Sequence, residues 1–166
     1  MGSPVALLIG MSIPARVCIV APEFVGPFPN GGVGTACYWE ARVLGEAGFE
    51  VTVLCTGATV KETEAFWTDH FARSAPFAYV DLHAWAATHC AGHPNGSSDP
   101  LSPEAYVADM VYAWLKDRPF DLVLAQEFLG HSARALQARH AGYALRGQRA
   151  AVPMHSCRQW VFEGMR

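Results

Sequence analysis

The sequence lacks an excess of positive charge, any paired cysteine spacing and any apolar run long enough to span a bilayer. Each absence removes a class of function. With 12 Lys and Arg against 15 Asp and Glu, the net charge is -3, and no basic stripe exists to neutralise a nucleic-acid backbone. The five cysteines, Cys18, Cys37, Cys55, Cys90 and Cys157, are odd in number and show no CxxC. They read as small buried hydrophobes of a reducing compartment, which points to the cytoplasm. His89-Cys90-Ala91-Gly92-His93 lacks the partner ligands a metal site needs and lies in a run of loop-forming residues, so it reads as a solvated loop. Residues 1–14 contain the apolar patch Val5 to Ile9, but the first positive side chain is Arg16, unlike a signal peptide. Residues 1–15 are read as a poorly ordered leader. There is no Gly-Lys-Ser or Gly-Lys-Thr, which excludes a P-loop, and no Gly-x-Ser-x-Gly or His-Glu-x-x-His.

What the chain does have is alternation. Its 166 residues, 51% of them apolar, suffice for one domain with a substantial core. Residues 17–21 form an apolar run consistent with a buried parallel strand. Residues 34–48 form a helix whose inward face carries Val33, Cys37, Ala41 and Leu44, with Gly48 as its stop. Strand 51–55 follows, then a helix over 62–71 with Phe66 as an anchor, and a strand over 77–83. Ser102-Pro103-Glu104 is a helix start with an N-cap Ser, Pro at the first helical position and an acid in the first turn. That helix runs to about residue 117 with a core stripe of Val107, Met110, Val111 and Trp114. Strand 121–126, a helix over 130–140 with Ala133 and Leu136 inward, and strand 148–154 complete the pattern. Alternating strands and helices predict an α/β fold, a Rossmann-like three-layer sandwich on a mostly parallel sheet.

Ligands of such sheets bind at the carboxyl ends of the strands. Four segments reach that edge: the loop Gly31-Gly32-Val33-Gly34-Thr35, Thr56-Gly57, Gln126-Glu127 and His155-Ser156. Glycines opening a helix let a ligand approach the backbone, and the helix start offers free N–H groups to an anion. The loop is not a dinucleotide fingerprint. Nine residues separate the strand from Gly31, Cys37 stands where the third glycine belongs, and the second strand ends without a ribose-binding acid. His155 ends a strand and could hydrogen-bond a sugar hydroxyl or carry a proton. Glu127 could accept hydrogen bonds from hydroxyls or cap the following helix. Trp160 could stack on a sugar face or pack in the core.

Four segments together resemble the N-terminal domain of family 4 glycosyltransferases of the GT-B fold, a group similar to glycogen and starch synthases. They are Arg16-Val-Cys-Ile-Val-Ala-Pro-Glu-Phe24 with Gly31-Gly-Val-Gly-Thr35, Leu44-Gly-Glu-Ala-Gly-Phe-Glu-Val-Thr-Val-Leu54, Phe120-Asp-Leu-Val-Leu-Ala-Gln-Glu-Phe-Leu-Gly130 with residues 135–139, and Val152-Pro-Met-His-Ser156 with Trp160 and Glu163-Gly164. The resemblance spans residues 16–166. It implies one half of a GT-B fold and transfer of a sugar from a nucleotide-sugar donor to an acceptor hydroxyl, with retention.

It also implies site roles. Gly31, Gly32, Val33, Gly34 and Thr35 would lie at an interdomain cleft near the donor phosphates. His155 would be the catalytic contact to the transferred sugar or acceptor. Glu127, with Gln126, His131, Ser156 and Trp160, would stand on the acceptor side. Ser156 replaces a glycine found in many members, and Gln126 a histidine found in some. No metal and no cofactor is implied, since the nucleotide-sugar is a substrate.

In that family a second domain holds most of the donor. The chain is therefore expected to be an N-terminal portion, inactive alone, whose partners are the donor, a carbohydrate or small-molecule acceptor and the missing C-terminal domain. An unfinished sheet edge offers a route to a dimer. Two other readings stand beside this one: a non-catalytic α/β interaction domain, and a nucleotide- or NAD-binding redox module.

Overall fold

Strand β1, Arg16–Ala21, is buried on both faces over its last five residues, which an apolar Val-Cys-Ile-Val-Ala run requires of a central parallel strand. The computed structural model describes residues 16–28, 31–90 and 103–154. After β1 come α1 (Gly32–Glu46), β2 (Glu50–Cys55), α2 (Glu64–Ser74), β3 (Ala78–Asp81), α3 (Leu82–His89), α4 (Pro103–Leu115), β4 (Leu122–Ala125), α5 (Ala133–His140) and β5 (Arg149–Ala151). The five strands form one sheet in the order β3-β2-β1-β4-β5, and every pairing is parallel. The chain is thus a Rossmann-like three-layer α/β sandwich.

The two faces have separate cores. Val17, Ile19, Val51 and Val53 meet Cys37 and Ala41 of α1 and Phe71 of α2. Cys18, Val20, Leu54 and Val123 meet α3, α4 and α5 through Leu82, Val111, Trp114 and Ala135. Phe24, 1% exposed, is the hub of the first core. Its ring meets those of Phe71, Phe77 and Tyr79 at centroid distances of 5.5, 5.7 and 5.8 Å. The amino end of the sheet is closed by Arg16 N, which donates to Asp121 Oδ2 at 2.8 Å across 105 residues of sequence.

The expected stripe of α4, Val107, Met110, Val111 and Trp114, is buried throughout. Gly48 sits just past α1 at φ 94°, the left-handed conformation that ends a helix without a Cβ penalty. Ser102 lies outside the described residues.

Other details differ from the sequence expectation. The third strand ends at Asp81 rather than at 83, because Asp81 turns the chain into α3 by accepting Ala84 N at 3.0 Å on Oδ1. Helix α5 starts later than expected. Residues Phe128–Gly130 form a single 3-10 turn, with Leu129 at φ 62°. Within α5 the inward residue is Ala135, while Ala133 is exposed and Leu136 half-buried. On α2 the anchor is Phe71, and Phe66 is 47% exposed. Among the described residues no helix is long and apolar enough to cross a membrane.

Candidate functional site

The candidate site lies where the winding of the sheet reverses, between β1 and β4. From β1 the chain moves outward through α1 and α2 on one face, and from β4 through α5 on the other, so their connections part above the carboxyl ends. The β1–α1 connection forms one wall. Glu23 leaves β1 and lays its side chain across α1, so that a Cβ on Gly31 would collide with Glu23 Oε2, and one on Gly34 would stand 3.2 Å from Glu23 Cβ and from Phe24 N. These two glycines are bare because Glu23 and the backbone beside it occupy the space. Gly32 has nothing within 4 Å of where its Cβ would stand and is exposed. Thr35 Oγ1 donates to Gly31 O at 3.1 Å, closing the first turn; Thr35 is exposed and Val33 half-buried.

The opposite wall comes from β4. Gln126 is 2% exposed and its Nε2 donates to Glu40 Oε2 of α1 at 3.1 Å. A carboxylate only accepts, so this contact fixes which end of the amide faces α1. Glu127, half-buried, precedes the 3-10 turn as its N-terminal flank.

The floor is Thr56, 1% exposed, at the end of β2. Its backbone N–H donates to Ala21 O at 2.9 Å. Its Oγ1 lies 2.7 Å from His131 Nδ1, and its carbonyl accepts from His83 Nε2 at 3.1 Å. A carbonyl cannot donate, so His83 carries its proton on Nε2. Burial pushes the pKa of His131 down to about 4, against the pull of the Glu104 carboxylate and with help from His83. His131 is therefore a neutral imidazole at pH 7. Next to it, Asp81 divides its oxygens between Ala84 N and the Thr59 hydroxyl.

Cys37 and Cys55 line the inner side. Burial first, then Glu40, Cys55 and Glu23, push the Cys37 thiol up to about 12. Burial chiefly, with Asp81, pushes Cys55 up to about 11. Neither is a nucleophile at neutral pH. Among the described residues no group of three His, Cys, Asp or Glu is placed to hold a metal ion.

The described site candidates thus divide. Gly32 and Thr35, in the first turn of α1, are exposed and Glu127 is half-buried, whereas Gln126 and His131 are buried and bonded to protein. His155, Ser156 and Trp160 lie outside the described residues. Sequence reading missed Glu40 and His83. Glu40 sits beside the apolar stripe of α1, and only the adjacency of β1 and β4 makes it a partner of Gln126. The Asp81 N-cap was the available signal for His83.

The fold defines a doubly wound α/β domain with polar side chains gathered at the carboxyl edge of its sheet. No protein-family profile, curated protein or solved structure matches the chain.

Proposed function

We propose that the chain is the N-terminal, acceptor-side portion of a retaining glycosyltransferase that moves a sugar from a nucleotide-sugar to an acceptor hydroxyl. The observation that carries this reading is that the Gly-rich start of α1, after β1, and Gln126-Glu127, after β4, both follow strands that are neighbours at the point where the winding reverses. Open parallel sheets bind their ligands at that point, and a crevice bordered by carboxylates accepts hydrogen bonds from hydroxyls. Of the four segments of family resemblance, β1 with the start of α1, and β4 with Gln126-Glu127, reach the carboxyl edge, and a third spans the α1–β2 passage. In this reading His155 contacts the reacting sugar, Glu127 contacts the acceptor, and a second domain closes over the crevice to supply the groups that stabilise the leaving diphosphate.

The test is sugar transfer by the product of the complete reading frame, offered a panel of nucleotide-sugars and polyhydroxylated acceptors and followed by mass spectrometry. The expected result is an acceptor heavier by one glycosyl unit, with His155→Ala lowering turnover by about a hundredfold or more. No glycosylated product from any donor would sink the reading. Unchanged turnover in His155→Ala would remove that residue's role alone.

A further inference from the structure

The charges of this chain are segregated. Fourteen of its fifteen acids lie at or before Glu127, and the stretch 128–162 holds five arginines and no Asp or Glu. Three of the five, Arg139, Arg146 and Arg149, are exposed on the passage from α5 into β5. That passage lies at the amino ends of the strands, the edge opposite the candidate site. It is firmly held. Arg139 Nε donates to Gln148 O at 2.8 Å, and Arg146 Nε donates to Gly142 O. Gln148 Nε2 donates to Arg118 O at 2.8 Å, and Leu145 is 7% exposed in the core beneath α4 and α5. Gly142, Leu145 and Gly147 have φ of 73°, 57° and 84°. A leucine rarely adopts that conformation, and it persists only where the surroundings over-determine the backbone.

The contacts that fix the turn leave its outer surface bare. Tyr143, in its middle, is 84% exposed. Among the described residues Arg139, Arg146 and Arg149 form no ion pair, whereas Arg134, earlier on α5, meets Asp109 at 3.1 Å. Asp121, whose carbonyl accepts Arg149 N, gives its Oδ2 to Arg16 N instead. The last turn of a helix favours cations, which accounts for Arg139 but not for Arg146 or Arg149. We propose that the α5–β5 turn is a docking site for an acidic protein surface, with Arg139, Arg146 and Arg149 taking carboxylates around a central Tyr143. Guanidiniums anchored through Nε keep their Nη groups for carboxylates. Tyrosine and arginine on a pre-organised backbone carry a large share of binding energy for their number. Charge selects the partner's chemistry. The turn is a short basic island on a chain of net charge -3, so a nucleic acid extending past it gains no further phosphate contacts, whereas a cluster of a few carboxylates matches its span. Docking here leaves the switch point free and does not depend on sugar transfer.

The experiment is a titration of the full 166-residue chain with short poly-L-glutamate at low salt, read by the amide NMR signals of residues 139–149. Wild type is compared with Arg149→Gln and Tyr143→Ala. Both side chains are exposed, and amide dispersion checks that each variant folds. The wild type is expected to give saturable shifts confined to the turn. Each variant should bind more weakly by about threefold or more, and sodium chloride at about 0.5 M should abolish the shifts. No saturable shift in the wild type overturns the proposal, and so does wild-type affinity in either variant. A single-stranded oligonucleotide or phosphatidylserine vesicles that shift the same amides at lower concentration than poly-L-glutamate overturn the assignment to a protein partner. Shifts of these amides that grow with protein concentration alone overturn it in favour of a second copy of the chain.

Discussion

His131 Nδ1 lies 2.7 Å from Thr56 Oγ1, tying the turn after β4 to the end of β2 across 75 residues of sequence. The imidazole is 5% exposed. Burial depresses its pKa from 6.5 to about 4, with Glu104 of α4 opposing and His83 of α3 adding to the shift. The unfolded chain therefore binds a proton more readily than the folded one between those values. The stability contributed by a neutral His131 is fully present above about pH 6.5 and is lost as pH falls toward 4, by roughly 3 kcal/mol at most. Urea unfolding between pH 4 and 7 should show that slope, and His131→Asn should flatten it. Equal slopes in the two proteins would rule out His131 as the source.

The glycines of the first α/β unit should respond unequally to alanine. A Cβ on Gly45 would run into the Pro76 carbonyl oxygen, and one on Gly57 into that of Pro22. Backbone cannot yield cheaply, so Gly45→Ala should destabilise by about 1–3 kcal/mol despite the better helix propensity of alanine. Gly32→Ala meets nothing and should change stability by less than about 1 kcal/mol. Denaturant midpoints measure both, and a Gly45→Ala protein as stable as the wild type would contradict the clash.

Thiol reactivity should separate the cysteines. Cys18, Cys37 and Cys55 are buried and Cys90 is half-buried. Desolvation raises all three buried thiols, Cys37 to about 12 and Cys55 to about 11. Iodoacetamide at pH 8 should modify Cys90 in the native protein while leaving these three untouched until denaturant is added. Peptide mass spectrometry reads the pattern, and early labelling of Cys37 would show that α1 opens from the sheet.

Phe24 is the most consequential apolar side chain near the site, since four aromatic rings surround it and Glu23 is its neighbour in sequence. Phe24→Ala should cost about 3–5 kcal/mol through lost burial and an unfilled cavity. Thermal unfolding gives the number, and a loss under about 1 kcal/mol would mean the aromatic cluster collapses to fill the gap.

Most of the fold is legible in the sequence because buried parallel strands and one-sided helices have different periods. The apolar run 17–21 and the stripe Val107, Met110, Val111 and Trp114 each have one physical interpretation, and both occupy the expected place. Helix α3 is not legible in this way. Its apolar residues follow β3 without a break, and the Asp81 cap that separates them is a single side chain. A helix beginning at Gly130 would turn Ala133 inward; the 3-10 turn delays α5, and Ala135 is the residue that faces the core. At the site, sequence identifies the segments that reach the carboxyl edge but not their mutual contacts. That Gln126 answers Glu40, or that His131 answers Thr56, depends on strand order, which no local pattern encodes.

The contact between Arg16 and Asp121 also has a consequence in time. Among the described elements the central strand leaves the ribosome first, and its β2 side finds a partner within about forty residues. Its other side waits for β4, more than a hundred residues later. Until then an apolar strand presents an unpaired edge to everything around it. The demand this chain places on chaperones thus concentrates in one interval of its synthesis, and a pause between α1 and β4 lengthens that exposure.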